Sequence, residues 1–154
     1  MNSTIKRDAT SVMVALLPTN TEWTNLDLPH MTLVYAGKAA DLKTQDYNKL
    51  SKQVSDLAGM AHPVGLKVVA RELFGEGDEQ VEAFRLRPTY SLWAMRRFVQ
   101  DWNRSEYPFN PHVTIGPPGT YVEKVPRYLR FTKIMLAWGT DHLVFSLGGG
   151  DYPT

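Results

Sequence analysis

Two short segments constrain this chain more than any others: "PHMTLVYAG" at 29–37 and "PHVTIGPPG" at 111–119. Each reads proline, histidine, one apolar residue, threonine, then an aliphatic residue. Side chains alternate across a strand, so His30 and Thr32 share one face while Met31, Leu33 and Tyr35 take the other. His112 and Thr114 are set in the same way against Val113 and Ile115. Such a strand needs a core beneath its apolar face and open space above its polar one. The next positions on the polar face are Val34 and Gly116, and the glycine leaves room for a ligand to reach the backbone. A single HxT on an apolar strand is commonplace. A second copy in the other half of the chain points to one volume shared by two imidazoles and two hydroxyls.

That volume suits a phosphate. Cleaving a phosphodiester needs a base for the attacking hydroxyl and an acid for the leaving oxygen, and histidine titrates near neutral pH, where it serves either role. Threonine hydroxyls donate to nonbridging oxygens and hold the phosphorus in line. The histidines lack the company of zinc ligands: there is no HxH, no HExxH, no accompanying acidic cluster and no cysteine. No metal and no cofactor is expected. "LFGEGDEQ" at 73–80 lacks the spacing of a phosphate loop and reads as a hairpin turn. His62 and His142 have no threonine two residues on and are read as surface or hairpin residues.

Around these segments the pattern is mainly β. "SVMVALLP" at 11–18 reads as a first strand, and the polar stretch after it delivers His30 to the start of a second. Tyr47, Leu50, Val54 and Leu57 recur at helical spacing, with Thr44 as N-cap and Gly59 as stop. A strand pair follows across the "EGDE" turn. Leu92, Met95, Val99 and Trp102 then mark a second helix capped by Ser91. Two closing runs, "KIMLAWG" and "HLVFSLGGG", make a hairpin turning at Thr140 and Asp141. Helix, HxT strand and hairpin recur loosely in both halves, which predicts one α+β domain over 1–154 with two lobes.

Composition narrows the partners. The 154 residues carry 17 basic and 16 acidic side chains, so no broad basic surface for long nucleic acid is expected. The absence of cysteine fits a reducing compartment, and no segment has the length or layout of a membrane span or signal peptide. The expectation is a soluble cytosolic protein with a small ligand. Trp93, Trp102 and Tyr47 fall on helix faces and read as packing residues, whereas Tyr121 and Tyr152 are freer to stack on a base. The glycines before Asp151 and Tyr152 read first as a frayed terminus without function, with a hinged tail that closes over a ligand as the side reading.

"HMTL" at 30–33 and "HVTI" at 112–115 resemble the paired H-x-[ST]-hydrophobic motifs of the 2H phosphoesterase superfamily. The resemblance implies a two-lobed, pseudo-symmetric α+β fold, with antiparallel sheets forming a central cleft and helices outside. It further implies metal-independent hydrolysis of nucleotide phosphodiesters, with His30 and His112 as the acid–base pair and Thr32 and Thr114 holding the phosphate. Members include 2',3'-cyclic phosphodiesterases, RNA ligase-like proteins and small phage enzymes that degrade cyclic oligonucleotides to defeat CBASS defence. The compact size is similar to that last branch, which makes cyclic di- or trinucleotides the first substrate expected and 2',3'-cyclic or RNA-end substrates the alternative. A non-catalytic nucleotide sponge is a third reading, disfavoured by two intact motifs.

Overall fold

The β-branched and leucine-rich segment Ser11–Pro18 forms β1, buried along almost its whole length, and pairs antiparallel on both sides: with β2 (Met31–Lys38) and with β6 (Tyr128–Trp138). A strand buried on both faces reads as a nearly unbroken apolar run. This computed structural model describes residues 10–148. The remaining elements are α1 (Thr44–Met60), β3 (Val64–Phe74), β4 (Val81–Leu86), α2 (Tyr90–Val99), β5 (His112–Gly116) and β7 (Asp141–Ser146). The strand order is β2-β1-β6-β3-β4-β5, with β7 paired to β6. The chain is thus α+β, with antiparallel pairing throughout.

β3 joins the halves. Its first residues, Val64–Lys67, pair with β6, and its later residues, from Val68 on, pair with β4, with an irregularity in that ladder between Val68 and Ala70. Such a break bends a strand and raises its twist. The strand order ends at β2 and β5, yet these two strands approach one another, so the sheet curls until the HxT strands are neighbours.

Both helices contact the sheet from the core side: α1 reaches β6 and β7, and α2 reaches β2. Leu50, Val54 and Leu57 of α1 and Leu92, Met95 and Val99 of α2 join Val12, Val14, Leu16, Phe84, Val113, Leu129 and Phe131 in the main core. On the opposite face Met13, Ala15, Met135 and Ala137 form a separate small apolar floor. No helix among the described residues is long and apolar enough to cross a membrane.

Several boundaries differ from the sequence reading. Lys43, not Thr44, is the N-cap of α1, and Asp46 Oδ2 accepts its backbone N–H at 2.8 Å. Gly59 lies inside the helix, which closes at Ala61. The cap of α2 is Thr89, whose hydroxyl accepts from Leu92 N at 3.2 Å, rather than Ser91. Trp102 sits in a 3-10 turn, Gln100–Trp102, and its indole donates to Gln53 Oε1 at 2.8 Å, tying the turn to α1. β6 starts at Tyr128, ahead of the apolar run, because its first residues alternate exposed and buried. The final hairpin turns at Gly139 and Thr140, where Gly139 takes a φ of +62°.

Candidate active site

The two HxT strands share an irregularity that alternation alone does not reveal. In β2, Val34 pairs with Val14 and Thr32 with Ala15, so Leu33 is an extra residue. In β5, Gly116 pairs with Glu82 and Thr114 with Ala83, so Ile115 is extra. Both are β-bulges at the residue directly after the threonine. A bulge resets which side the following residues face. Val34 therefore turns into the core at 1% exposure, and half-buried Tyr35 replaces it opposite Met13 on the HxT face. This corrects the alternation, which put Val34 on the polar face and Tyr35 on the apolar one.

Gly116 is displaced in the same way and is not a ligand opening. A Cβ on it would lie 2.6 Å from Thr120 Oγ1, so the space is taken by the loop that follows. That loop folds back on itself, with Thr120 bonding Pro117 O through its hydroxyl and through its N–H. Gly119, at φ +83°, gives its N–H to Glu82 Oε1 at 2.6 Å. Arg71 holds the same carboxylate at 2.6 Å and also donates to Thr120 O. These two donors hold the Glu82 carboxyl below its usual range, the Arg71 hydrogen bond most strongly.

The two histidines are anchored identically. His30 Nδ1 lies 2.9 Å from Leu28 O, and His112 Nδ1 lies 2.8 Å from Asn110 O, in each case the carbonyl two residues back. A carbonyl oxygen only accepts, so both Nδ1 atoms carry the proton and Nε2 is the nitrogen that gains or loses one. The proline between histidine and carbonyl, Pro29 or Pro111, restricts the residue before it to extended backbone. Thr32 Oγ1 rests 3.6 Å from Met13 Sδ, a weak acceptor that leaves the hydroxyl proton easily redirected.

Beyond the motifs, β3 and β4 add groups to the same face. Arg85 pairs directly with His112 across β4 and β5, and cross-strand partners share a face. Its Nε bonds Glu72 Oε2 at 3.0 Å. Phe74, at the end of β3, stacks on the His112 imidazole with centroids 4.2 Å apart and planes at 13°. Burial pushes His112 below the ordinary histidine value, and the Asn110 carbonyl opposes that shift without cancelling it. The sequence reading missed Phe74, Arg85 and Glu72. Alternation in "QVEAFRLR" groups Arg85 with Ala83, but no sequence signal pairs it with His112, 27 residues on.

The freer candidates fare less evenly. Tyr121 is 80% exposed in the loop after β5. Tyr152 and the expected tail hinge lie outside the described residues. Trp93, expected to pack, is 41% exposed and meets Phe109 edge-on at 5.1 Å, whereas Tyr47 packs edge-on against Trp138. His142 lies on β7 opposite Ala137, on the floor side of the sheet. His62 follows α1 on the helix side.

No protein-family model matches the sequence, and no curated protein matches it. Solved structures do match over nearly the whole chain. A protein of Thermus thermophilus superposes with a TM-score of 0.60 at 15% identity, covering 90% of this chain and 98% of the other. Usb1 of Kluyveromyces marxianus gives 0.62 at 12% identity, covering 92% and 100%. The LigT of E. coli in complex with 3'-AMP gives 0.51 at 18% identity, covering 90% and 95%. The chain has the fold of LigT and Usb1. This is the LigT-like architecture that the paired motifs led the sequence reading to expect, reached at identities where only the fold is shared.

Proposed function

We propose that this chain is a metal-independent phosphodiesterase that cleaves small nucleotides with His30 and His112 as its acid–base pair. The observation that carries the reading is the matched anchoring of both imidazoles, each with Nδ1–H on the carbonyl two residues back. Two Nε2 atoms presented in the same tautomer are what a proton relay through a phosphodiester requires. Thr32 and Thr114 then donate to the nonbridging oxygens, and Arg85 offsets the charge that gathers on them. The two lobes are the halves that bring one HxT strand each to the shared site.

His112 is the base in this scheme. Its burial under Phe74 favours the neutral imidazole, so its Nε2 starts with a lone pair available to take the nucleophile's proton. His30, protonated at Nε2, gives that proton to the departing oxygen. In a cyclic di- or trinucleotide the nucleophile is the 2'-hydroxyl beside the scissile phosphate. Attack forms a 2',3'-cyclic phosphate and releases the 5'-oxygen as a hydroxyl. Water then opens the small ring, with the histidines exchanging roles.

Near balance of charge, 17 basic against 16 acidic side chains, favours a compact substrate over long RNA. Cyclic di- and trinucleotides are accordingly the first substrates assigned, and with them the role of a phage protein that evades CBASS. Tyr121, and Tyr152 in the tail, are assigned to base stacking. A second reading, opening of 2',3'-cyclic phosphates at a nucleotide or RNA end, draws support from the mononucleotide 3'-AMP held by the E. coli LigT. The test is chromatography of EDTA-treated incubations with cyclic di- and trinucleotides and with 2',3'-cyclic mononucleotides, using wild type and His30→Ala/His112→Ala. Linear product from the cyclic oligonucleotides, absent in the variant, supports the first reading. Turnover of cyclic mononucleotides alone moves the second ahead. Binding without product in wild type overturns both and leaves a nucleotide sponge.

A further inference from the structure

A bulge removes a carbonyl from the ladder, and such a carbonyl needs another donor when it is buried. Both HxT bulges are satisfied by side chains, and in a crossed manner. The carbonyl of Leu33, the extra residue of β2, accepts from Arg96 Nε at 2.7 Å. The carbonyl of Ile115, the extra residue of β5, accepts from Thr24 Oγ1 at 2.8 Å. Thr24 belongs to the segment leading into β2, and Arg96 to α2, which precedes β5. Each half's leading segment thus reaches the bulge of the other half.

Neighbouring contacts hold both donors in place. Trp23 is 5% exposed and packs on Phe84 of β4 at 5.5 Å, which seats the Thr24 segment against the second half. Thr24 Oγ1 also accepts from Leu26 N at 3.1 Å, fixing the direction of its own proton toward Ile115. Arg96 lies over the Phe109 ring at 4.7 Å and is half-buried. Beside it, Arg104 N donates to Tyr35 O at 2.7 Å, and Asn103 Oδ1 accepts from Tyr35 N at 3.3 Å. The open edge of β2 is therefore closed by the segment that precedes β5.

We propose that Thr24 and Arg96 are positioning residues forming a reciprocal clamp, each fixing the bulge behind the histidine of the opposite half so that the two imidazoles hold one mutual geometry. The clamp rests on the acid–base reading of His30 and His112 for its effect on rate, though not for its effect on the imidazoles. A displacement of about 1 Å at reacting groups costs on the order of 100-fold in rate.

The test uses the full chain with Thr24→Val, Thr24→Ser, Arg96→Met and Arg96→Lys. Imidazole nitrogen and Nδ1 proton resonances are read by NMR, and kcat and KM are read on the best substrate found. Thr24→Val should shift the His112 resonances and leave those of His30, although Thr24 lies only a few residues before His30. Arg96→Met should do the converse. In rate, Thr24→Val should lower kcat about 10- to 100-fold with KM within about twofold, and Thr24→Ser, which keeps the hydroxyl, should recover most of it. If Arg96→Met does not fold, Arg96→Lys carries the same test, because it keeps the charge and loses the Nε donor. Resonances of both histidines moving together, or of neither, would overturn the clamp, as would a folded Thr24→Val with unchanged kcat. A wild-type chain that turns over nothing overturns the enzyme reading instead, and the resonances still decide the clamp.

Discussion

β2 and β5 present the same backbone to two different surroundings. Each carries an anchored histidine, a threonine two residues on and a bulge directly after it. β2 looks onto the apolar floor of Met13, Ala15, Met135 and Ala137, with the Met13 thioether under Thr32. β5 meets the Phe74 ring, the Arg85 guanidinium and its partner Glu72. The shared backbone delivers two imidazoles in one tautomer. On the proposed acid–base reading, the unequal surroundings divide the work between them, since a difference in environment lets two like groups take opposite roles.

The largest effects should come from the histidines. His30→Ala and His112→Ala should each lower kcat by about 10²–10⁴-fold, and the double variant should lose far less than the product of the two. Retained turnover in one of them would break the equivalence of the strands. Thr32→Val and Thr114→Val should each cost on the order of 100-fold in kcat, with circular dichroism unchanged. A loss confined to one of them would show that a single strand holds the phosphate. Arg85→Met should lower kcat/KM about tenfold, the scale of one hydrogen bond to a charged group. An unchanged kcat/KM would remove Arg85 from the site and leave β5 distinguished by Phe74 alone.

A smaller effect separates the residues after the bulges. Val34 turns into the core, whereas Gly116 turns against Thr120 Oγ1, where a Cβ would stand 2.6 Å away. Gly116→Ala should therefore cost about 1–2 kcal/mol of stability, read as a lowered thermal midpoint. An unchanged midpoint would mean that the loop after β5 yields freely and does not fix the strand end.

The motif pair, the fold class and most elements were legible in the sequence because they rest on local spacing: His30 with Thr32, His112 with Thr114, and the helical repeat of Leu50, Val54 and Leu57. The facing of Val34, Tyr35 and Gly116 was not, because a bulge is set by partner strands that no local pattern names. Thr24, Phe74, Arg85 and Arg96 escaped notice for a related reason. Each gains its role from a residue distant in the chain, and as isolated side chains in a loop, a strand end, a strand and a helix they look ordinary. The helix caps moved for a more local reason: the backbone is still extended at Lys43 and Thr89 and turns helical directly after them, so each cap lies one or two residues before the one that composition favoured.

The pH profile of kcat/KM in wild type and Phe74→Ala tests the division of labour most directly. With His112 as the proposed base, activity falls on the acid side as it gains a proton, and its lowered pKa places that limb below the usual histidine range. Stability follows the same sign. The folded chain binds fewer protons at His112 than the unfolded one, so stability is lost as pH falls from the usual histidine value toward the lowered one. Removing the Phe74 ring readmits water to the imidazole and raises its pKa. Phe74→Ala should move the acid limb to higher pH and leave in place the basic limb, which belongs to His30 on the proposed reading. An acid limb that stays put while the basic limb moves would contradict it and exchange the roles of the two histidines.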